Sequence, residues 1–181
     1  MKKVSFCFYA TLFSLCCVCP VQAESAEESI VDSLSIGGGI SRHNNIAIAR
    51  FAIRKDANAD FFKTSVGWMD VYSEASFGFW DKGDDQIYVG AYSPVFIYYF
   101  GDETWSVHPY IEAGIGVAGI SQTKIDTRDL STAFQFEDRI GIGARMKDLD
   151  LSFRYMHYSN GSIVLPNDGI DIFIFTAGYR F

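Results

Sequence analysis

The last eleven residues, Asp171-Ile-Phe-Ile-Phe-Thr-Ala-Gly-Tyr-Arg-Phe181, carry the clearest indication of the fold. Successive side chains of a strand point to opposite faces. One face therefore carries Phe173, Phe175, Ala177, Tyr179 and Phe181. The other face carries Thr176, Gly178 and Arg180, with Ile172 and Ile174 as imperfect members. This alternation indicates a strand that separates an apolar surface from a mixed, partly polar one.

An alternating last strand that ends in an aromatic residue resembles the C-terminal signature of bacterial outer-membrane proteins. The N-terminus agrees, because Lys2 and Lys3 precede an apolar segment and small residues lie around Ala23. That pattern is typical of a cleaved secretory signal. We therefore expect residues 1–23 to be a removed signal peptide and residues 24–181 to form a single transmembrane β-barrel domain. The alternative is an amphipathic strand in a soluble sandwich.

The remaining chain is predicted to be all-β, an eight-stranded antiparallel outer-membrane β-barrel. Strands that cross a bilayer must close on themselves, because open edges would leave backbone groups unpaired in hydrocarbon. The predicted strands are 33–42, 45–55, 63–79, 86–100, 107–120, 134–146, 149–159 and 171–181. With a periplasmic C-terminus, the loops near 42–45, 80–86, 121–133 and 160–170 face outward. We expect the inward charges Glu112, Glu137, Arg139 and Arg154 to pair inside the barrel, because charges are costly against lipid.

Composition excludes several classes of function. The net charge of −7 disfavours nucleic-acid binding, which depends on lysine and arginine neutralising phosphates. All four cysteines lie within residues 1–23, so the mature chain has no disulfide and no thiolate chemistry. No His, Cys or Glu spacing is typical of a catalytic metal site, so we expect neither a metal nor another cofactor.

The strand at 149–159 carries the residues of chemical interest. Leu151, Phe153 and Tyr155 form its apolar face, and His157 and Ser159 continue that face at the outer end. In the neighbouring strand, Asp171 has the parity of Phe173 and Phe175. We therefore expect His157, Ser159 and Asp171 to meet on the lipid-facing exterior, at the level of the outer leaflet.

These three residues are the parts of a serine esterase. A serine needs a base to take its proton, and the base needs an acceptor that holds its tautomer. We assign these roles to Ser159, His157 and Asp171, with Asp168 as an alternative to Asp171. Asn160 and Gly161 are the predicted oxyanion and substrate-binding residues. The alternative is that these are ordinary polar residues at a membrane interface.

Four segments resemble the PagL family, the lipid A 3-O-deacylases. They are His157-Tyr-Ser-Asn160 with Pro166-Asn-Asp-Gly-Ile170, Pro94-Val-Phe-Ile-Tyr98, Tyr110-Ile-Glu-Ala-Gly-Ile-Gly-Val117 and Phe136-Glu-Asp-Arg-Ile-Gly141. The resemblance runs from about residue 65 to the end. It implies a hydrolase that removes the acyl chain ester-linked at position 3 of lipid A. His157 matches the family's base and Ser159 its nucleophile, whereas Asp171 stands where the family has Glu.

The resemblance implies lipid A, as part of lipopolysaccharide, as the substrate and outer-membrane lipids as the surroundings, with no nucleic-acid partner. The sequence leaves a homodimer open. It also leaves two other functions open: a non-enzymatic structural or adhesin barrel, and a phospholipase or acyltransferase that uses the same patch.

Overall fold

The computed structural model describes residues 29–57, 62–102 and 104–181. The predicted signal peptide, residues 1–23, lies outside the described residues. The described chain consists of strands joined by turns and loops. No helix in these three ranges is long and apolar enough to cross a membrane.

Eight long strands account for most of the described chain. They are β1 (Ser33–Ser41), β2 (Ala47–Asp56), β4 (Gly67–Lys82), β5 (Asp85–Phe100), β6 (His108–Ile120), β9 (Phe134–Met146), β10 (Leu149–Ser159) and β11 (Ile170–Arg180). Three short strands supplement them: β3 (Phe62–Thr64), β7 (Lys124–Ile125) and β8 (Arg128–Asp129). Every predicted strand therefore has an observed counterpart.

Two predicted boundaries are wrong. The predicted strand 63–79 is interrupted by a turn after Thr64, whose hydroxyl accepts a hydrogen bond from the Val66 N–H and donates one to the Gly67 carbonyl. The predicted loop 80–86 is a tight turn, because β4 and β5 stay paired as far as Lys82 and Asp85. Gly83, at φ +63°, supplies the left-handed conformation that this turn requires.

The strands close into the predicted antiparallel barrel. Each long strand pairs with its neighbours in the order β2, β1, β11, β10, β9, β6, β5, β4, and β4 then pairs with β2. Short β3 continues the edge of β2 along the first residues of β4. Closure pairs the edges that an open sheet would leave exposed. We call the end of the barrel that holds Ser33 and Arg180 the terminal end, and the opposite end the loop end.

Buried ion pairs fill the middle of the barrel. Arg154 Nε lies 2.5 Å from Glu112 Oε1, and Arg139 Nη1 lies 2.7 Å from Glu74 Oε1. Arg50 and Arg139 both bond Glu137. The predicted inward pairing of Glu112, Glu137, Arg139 and Arg154 is confirmed. Paired charges satisfy one another where water is excluded, so this layer packs the interior and positions the strands around it.

The interior is apolar at the loop end, which the alternation pattern did not predict. Ile172 and Ile174 point inward and are almost fully buried, beside Trp80 and Met156. Ile125 and Leu130, from the loop between β6 and β9, cover this cluster. The two isoleucines therefore belong to the inner face of β11, together with Thr176. Their packing anchors the end of the barrel on which the candidate site lies.

Candidate active site

His157 and Asp171 are direct cross-strand partners in β10 and β11. Both side chains lie on the exterior face, where the alternation of each strand directs them. His157 Nδ1 lies 2.8 Å from Asp171 Oδ1. Their side chains are partly exposed, at 37% and 21%. A carboxylate on Nδ1 favours the tautomer that carries its proton there, which leaves Nε2 free to accept a proton.

Ser159 lies two residues beyond His157 on the same face of β10, opposite Phe136 of β9. Two residues span roughly 7 Å along a strand, so the serine is a near neighbour of the imidazole. No hydrogen bond joins Ser159 to His157 within the three described ranges. In enzymes without substrate, such bonds are often long and tighten only in the complex.

Asp171, and not Asp168, is the carboxylate in contact with His157. The Asp168 side chain is engaged elsewhere, since its Oδ2 accepts a hydrogen bond of 2.7 Å from the Asp129 N–H. Asp171 receives a second donor as well. The Tyr155 hydroxyl donates to the same Oδ1 atom at 2.6 Å.

Gly169 lies against the ring of His157. A Cβ on Gly169 would come within 2.9 Å of His157 Cε1 and 3.5 Å of Nε2, and the residue has a φ of +59°. Both the close approach and the left-handed backbone require glycine. The end of the loop between β10 and β11 therefore packs on the ring edge that carries the free nitrogen.

Asn160 does not offer the donors that the sequence predicted for an oxyanion. Its side chain is fully buried, and its Nδ2 donates to the carbonyls of Leu130 at 3.0 Å and Val164 at 2.8 Å. Its backbone N–H donates to Asn167 Oδ1 at 3.1 Å. All three N–H donors of Asn160 therefore bond to loop residues, and none is left for a substrate oxygen. Asn160 is a structural residue in this conformation.

Gly161 remains a candidate oxyanion donor. It is exposed and has a φ of +63°, and a Cβ at this position would lie 3.1 Å from the ring of Phe136. Its backbone N–H makes no hydrogen bond within the part of the chain that the structure describes. The residue directly follows Asn160, so this N–H lies close to Ser159 along the chain.

Asn167 is a further candidate site residue, which the sequence alone did not single out. Because its Oδ1 accepts the Asn160 N–H, its NH₂ group is left as a donor beside the end of β10. Eight positions separate Asn167 from Ser159, and only the fold of the loop brings them near each other. The sequence hints at its importance only through its place in the Pro166–Ile170 segment, which resembles the family.

The hairpin of β7 and β8 holds the loop that carries Asn167 and Gly169. Arg128 Nη1 donates to the Asp168 carbonyl at 2.8 Å, and the N–H of Asp168 donates to the Asp129 carbonyl at 3.2 Å. The Ser131 hydroxyl also bonds the Pro166 carbonyl. The loop 121–133 therefore supports the site from above, at the loop end of the barrel.

An apolar groove of about 530 Å³ runs over the exterior face next to this cluster. It crosses β4, β5, β6, β9 and β10, and Tyr155 lies at one end of it. The lining includes Phe96, Ile111, Ala113, Ile140, Phe153 and Tyr155. Its surface suits a hydrocarbon chain. No group of three or more His, Cys, Asp or Glu side chains suited to a metal ion occurs among the residues described.

The fold and the site together define a small outer-membrane barrel with a histidine–carboxylate pair on its lipid-facing surface. The chain belongs to the family described as lipid A 3-O-deacylase (PagL), whose model matches residues 47–180. It is therefore an outer-membrane hydrolase that acts on ester bonds. The family match includes β2, so it extends beyond the four similar segments toward the N-terminus.

Two curated relatives and one solved structure agree. The lipid A deacylase PagL of Pseudomonas aeruginosa is 36% identical over 125 residues, which cover 67% of this chain and 71% of that protein. The lipid A deacylase PagL of Bordetella bronchiseptica is 32% identical over 120 residues, 64% of this chain and 65% of that protein. A crystal structure of the outer membrane enzyme PagL superposes with a TM-score of 0.77 at 31% identity, covering 82% of this chain and 99% of that one.

Proposed function

We propose that this chain hydrolyses the ester that joins an acyl chain to position 3 of lipid A in the outer leaflet. Ser159 is the nucleophile, His157 the general base and Asp171 the orienting carboxylate. The observation that carries the proposal is the 2.8 Å contact between His157 Nδ1 and Asp171 Oδ1, on the exterior face and next to Ser159. Membership in a family of lipid A 3-O-deacylases supports the choice of substrate.

The reaction proceeds in two halves. His157 Nε2 takes the Ser159 hydroxyl proton as the oxygen attacks the ester carbonyl, and the resulting imidazolium is stabilised by Asp171. The tetrahedral intermediate collapses when the bond to the sugar oxygen breaks and His157 returns the proton to that oxygen. A water molecule, activated by the same histidine, then attacks the acyl-serine and releases the fatty acid. Serine, histidine and carboxylate return to their starting states.

The developing oxyanion needs hydrogen-bond donors that are already in position. The Gly161 N–H and the Asn167 NH₂ are the two donors that support this role. The first follows the nucleophile by two positions, and the second is directed by the bond from the Asn160 N–H to Asn167 Oδ1. Because Asn160 uses its own donors in the loop, it contributes by holding Asn167 and not by contacting substrate.

The position of the site supports a substrate embedded in a membrane. The reacting groups lie on the surface that faces lipid, so an acyl chain can reach them by lateral diffusion without leaving the bilayer. The groove of about 530 Å³ beside Tyr155 suits the hydrocarbon part of such a substrate.

Substrate choice separates this function from a phospholipase, an acyltransferase and a non-enzymatic barrel. The refolded protein is incubated in mixed micelles with lipid A or with a labelled phospholipid, and the products are identified by mass spectrometry. We expect loss of one hydroxyacyl chain from lipid A, with a free fatty acid as the product. Fatty acid released from the phospholipid alone would contradict the proposal, as would transfer of the chain to a lipid acceptor or no turnover of either lipid.

A further inference from the structure

Two hydrogen-bond donors converge on a single oxygen of Asp171. His157 Nδ1 lies 2.8 Å from Oδ1, and the Tyr155 hydroxyl lies 2.6 Å from the same atom. Tyr155 and His157 are two residues apart on one face of β10, while Asp171 pairs with His157 in the register of β11. The carboxylate is therefore held between two consecutive outward-facing side chains of the neighbouring strand.

We infer that Tyr155 is a positioning residue, whose hydroxyl fixes the Asp171 carboxylate so that Oδ1 faces His157. This inference rests on the proposed function, since it assigns a part to Tyr155 in the same reaction. Tyr155 touches neither the reacting serine nor the imidazole in the contacts described above. Its ring lines the apolar groove, whereas its hydroxyl acts on the reaction through Asp171 alone.

The geometry explains why a second donor matters here. Asp171 lies on the outer surface of the barrel with its side chain partly exposed, so packing alone does not fix its rotamer. A hydroxyl that donates to a carboxylate forms a short, charge-assisted hydrogen bond. That bond holds Oδ1 in place and stabilises the ionised form, so that Asp171 accepts the Nδ1 proton of His157 without removing it.

The ring of Tyr155 is itself held in place. It packs against Phe173 of β11, with the ring centroids 5.5 Å apart, and Phe173 stacks in turn on Phe153. An ordinary tyrosine at a membrane interface keeps its hydroxyl in water or among lipid headgroups. This hydroxyl instead points along the protein surface to a carboxylate, which is the feature that distinguishes a positioning role from an interfacial one.

The test removes only the hydroxyl. In Tyr155→Phe, the ring and its contact with Phe173 are kept, so KM for lipid A should stay within about twofold of the wild type. We expect kcat to fall roughly tenfold, the effect of one hydrogen bond to a charged group. Tyr92→Phe is the matched control, because Tyr92 is also a lipid-facing tyrosine and its hydroxyl donates to Ser73 Oγ at 3.0 Å, away from the site. Its kcat should not change.

A spectroscopic measurement tests the effect of the Tyr155–Asp171 hydrogen bond on His157 in the absence of substrate. In protein labelled with ¹⁵N-histidine, the Nδ1 proton of His157 is identified by its loss in His157→Gln. We expect this proton to exchange faster with water in Tyr155→Phe than in Tyr92→Phe. Equal exchange and equal kcat in the two variants would overturn the inference while leaving the proposed function intact. Activity that survives Ser159→Ala would instead defeat the proposed function itself.

Discussion

The backbone N–H of Asn160 donates a hydrogen bond to the side-chain oxygen of Asn167 at 3.1 Å. Because Asn160 directly follows Ser159, this bond ties the end of β10 to the loop before β11. It also decides which end of the Asn167 amide is free, since the oxygen is occupied and the NH₂ group is not. The first prediction concerns that NH₂ group.

Asn167→Asp should keep the bond to Asn160 and lose the proposed oxyanion donor. The two side chains have nearly the same shape, so the loop should fold as before. We expect kcat to fall by roughly 10²- to 10³-fold, which is typical for the loss of one oxyanion donor. The measurement is turnover of lipid A by purified protein whose folding is verified by its electrophoretic mobility without heating. A loss of less than about threefold would exclude Asn167 from the oxyanion site.

Gly169→Ala should displace the imidazole of His157. The new methyl group would lie 2.9 Å from His157 Cε1, and alanine is strained at a φ of +59°. We expect activity to fall roughly 10- to 100-fold through misplacement of the base. Gly83→Ala is the matched control, because Gly83 has a φ of +63° and its Cβ would meet no atom within 4 Å. If both variants lose activity equally, backbone strain accounts for the loss, and the contact between Gly169 and His157 does not position the imidazole.

Arg128→Ala should loosen the loop that carries Asn167 and Gly169. The guanidinium donates to the Asp168 carbonyl at 2.8 Å, so its removal takes away one of the bonds that hold the end of that loop. We expect faster proteolytic cleavage within residues 160–169 and a lower kcat, with an unchanged barrel. Lys124→Ala in the same hairpin serves as the control, since its exposed side chain pairs with Asp129 at 3.0 Å and has no bond to the loop 160–169 among the residues described. Equal cleavage rates in the two variants would show that Arg128 does not hold the loop.

Arg154→Met should destabilise the barrel without touching the site. The substitution removes the buried guanidinium that pairs with Glu112 and Glu74. Loss of a buried ionic partner lowers the free energy of unfolding by about 3–5 kcal/mol. Urea titration in micelles, followed by tryptophan fluorescence, measures the change. The exposed pair of Lys147 and Asp148 offers the comparison, because Asp148→Ala should cost less than about 1 kcal/mol. A midpoint for Arg154→Met equal to that of Asp148→Ala would contradict the structural role of the buried pairs.

Alternation along each strand made most of the fold predictable. The exterior positions of His157, Ser159 and Asp171 followed from parity, because a strand has only two faces. Parity did not reveal that Ile172 and Ile174 fill an apolar layer inside the barrel. A strand with apolar side chains on both faces shows no alternation, so its inner face cannot be read from the pattern there.

The loops were not predictable in the same way. The bonds of Asn160 to Leu130 and Asn167 join residues that are distant in sequence or separated by an irregular loop. No periodicity marks such contacts, and the sequence therefore assigned Asn160 a role that its buried donors do not support. The contact of Tyr155 with Asp171 depends on the register of β10 against β11, which turn lengths alone do not fix.

The proposed function depends on Ser159 as the nucleophile that releases an acyl chain from lipid A. Mass spectrometry of lipid A from a strain with unmodified lipid A, expressing either the wild-type chain or Ser159→Ala, tests it most directly. We predict that the wild type removes one 3-linked hydroxyacyl chain and that the variant, folded and present at an equal level in the outer membrane, leaves lipid A intact. Removal of that chain by Ser159→Ala would show that Ser159 is not the nucleophile.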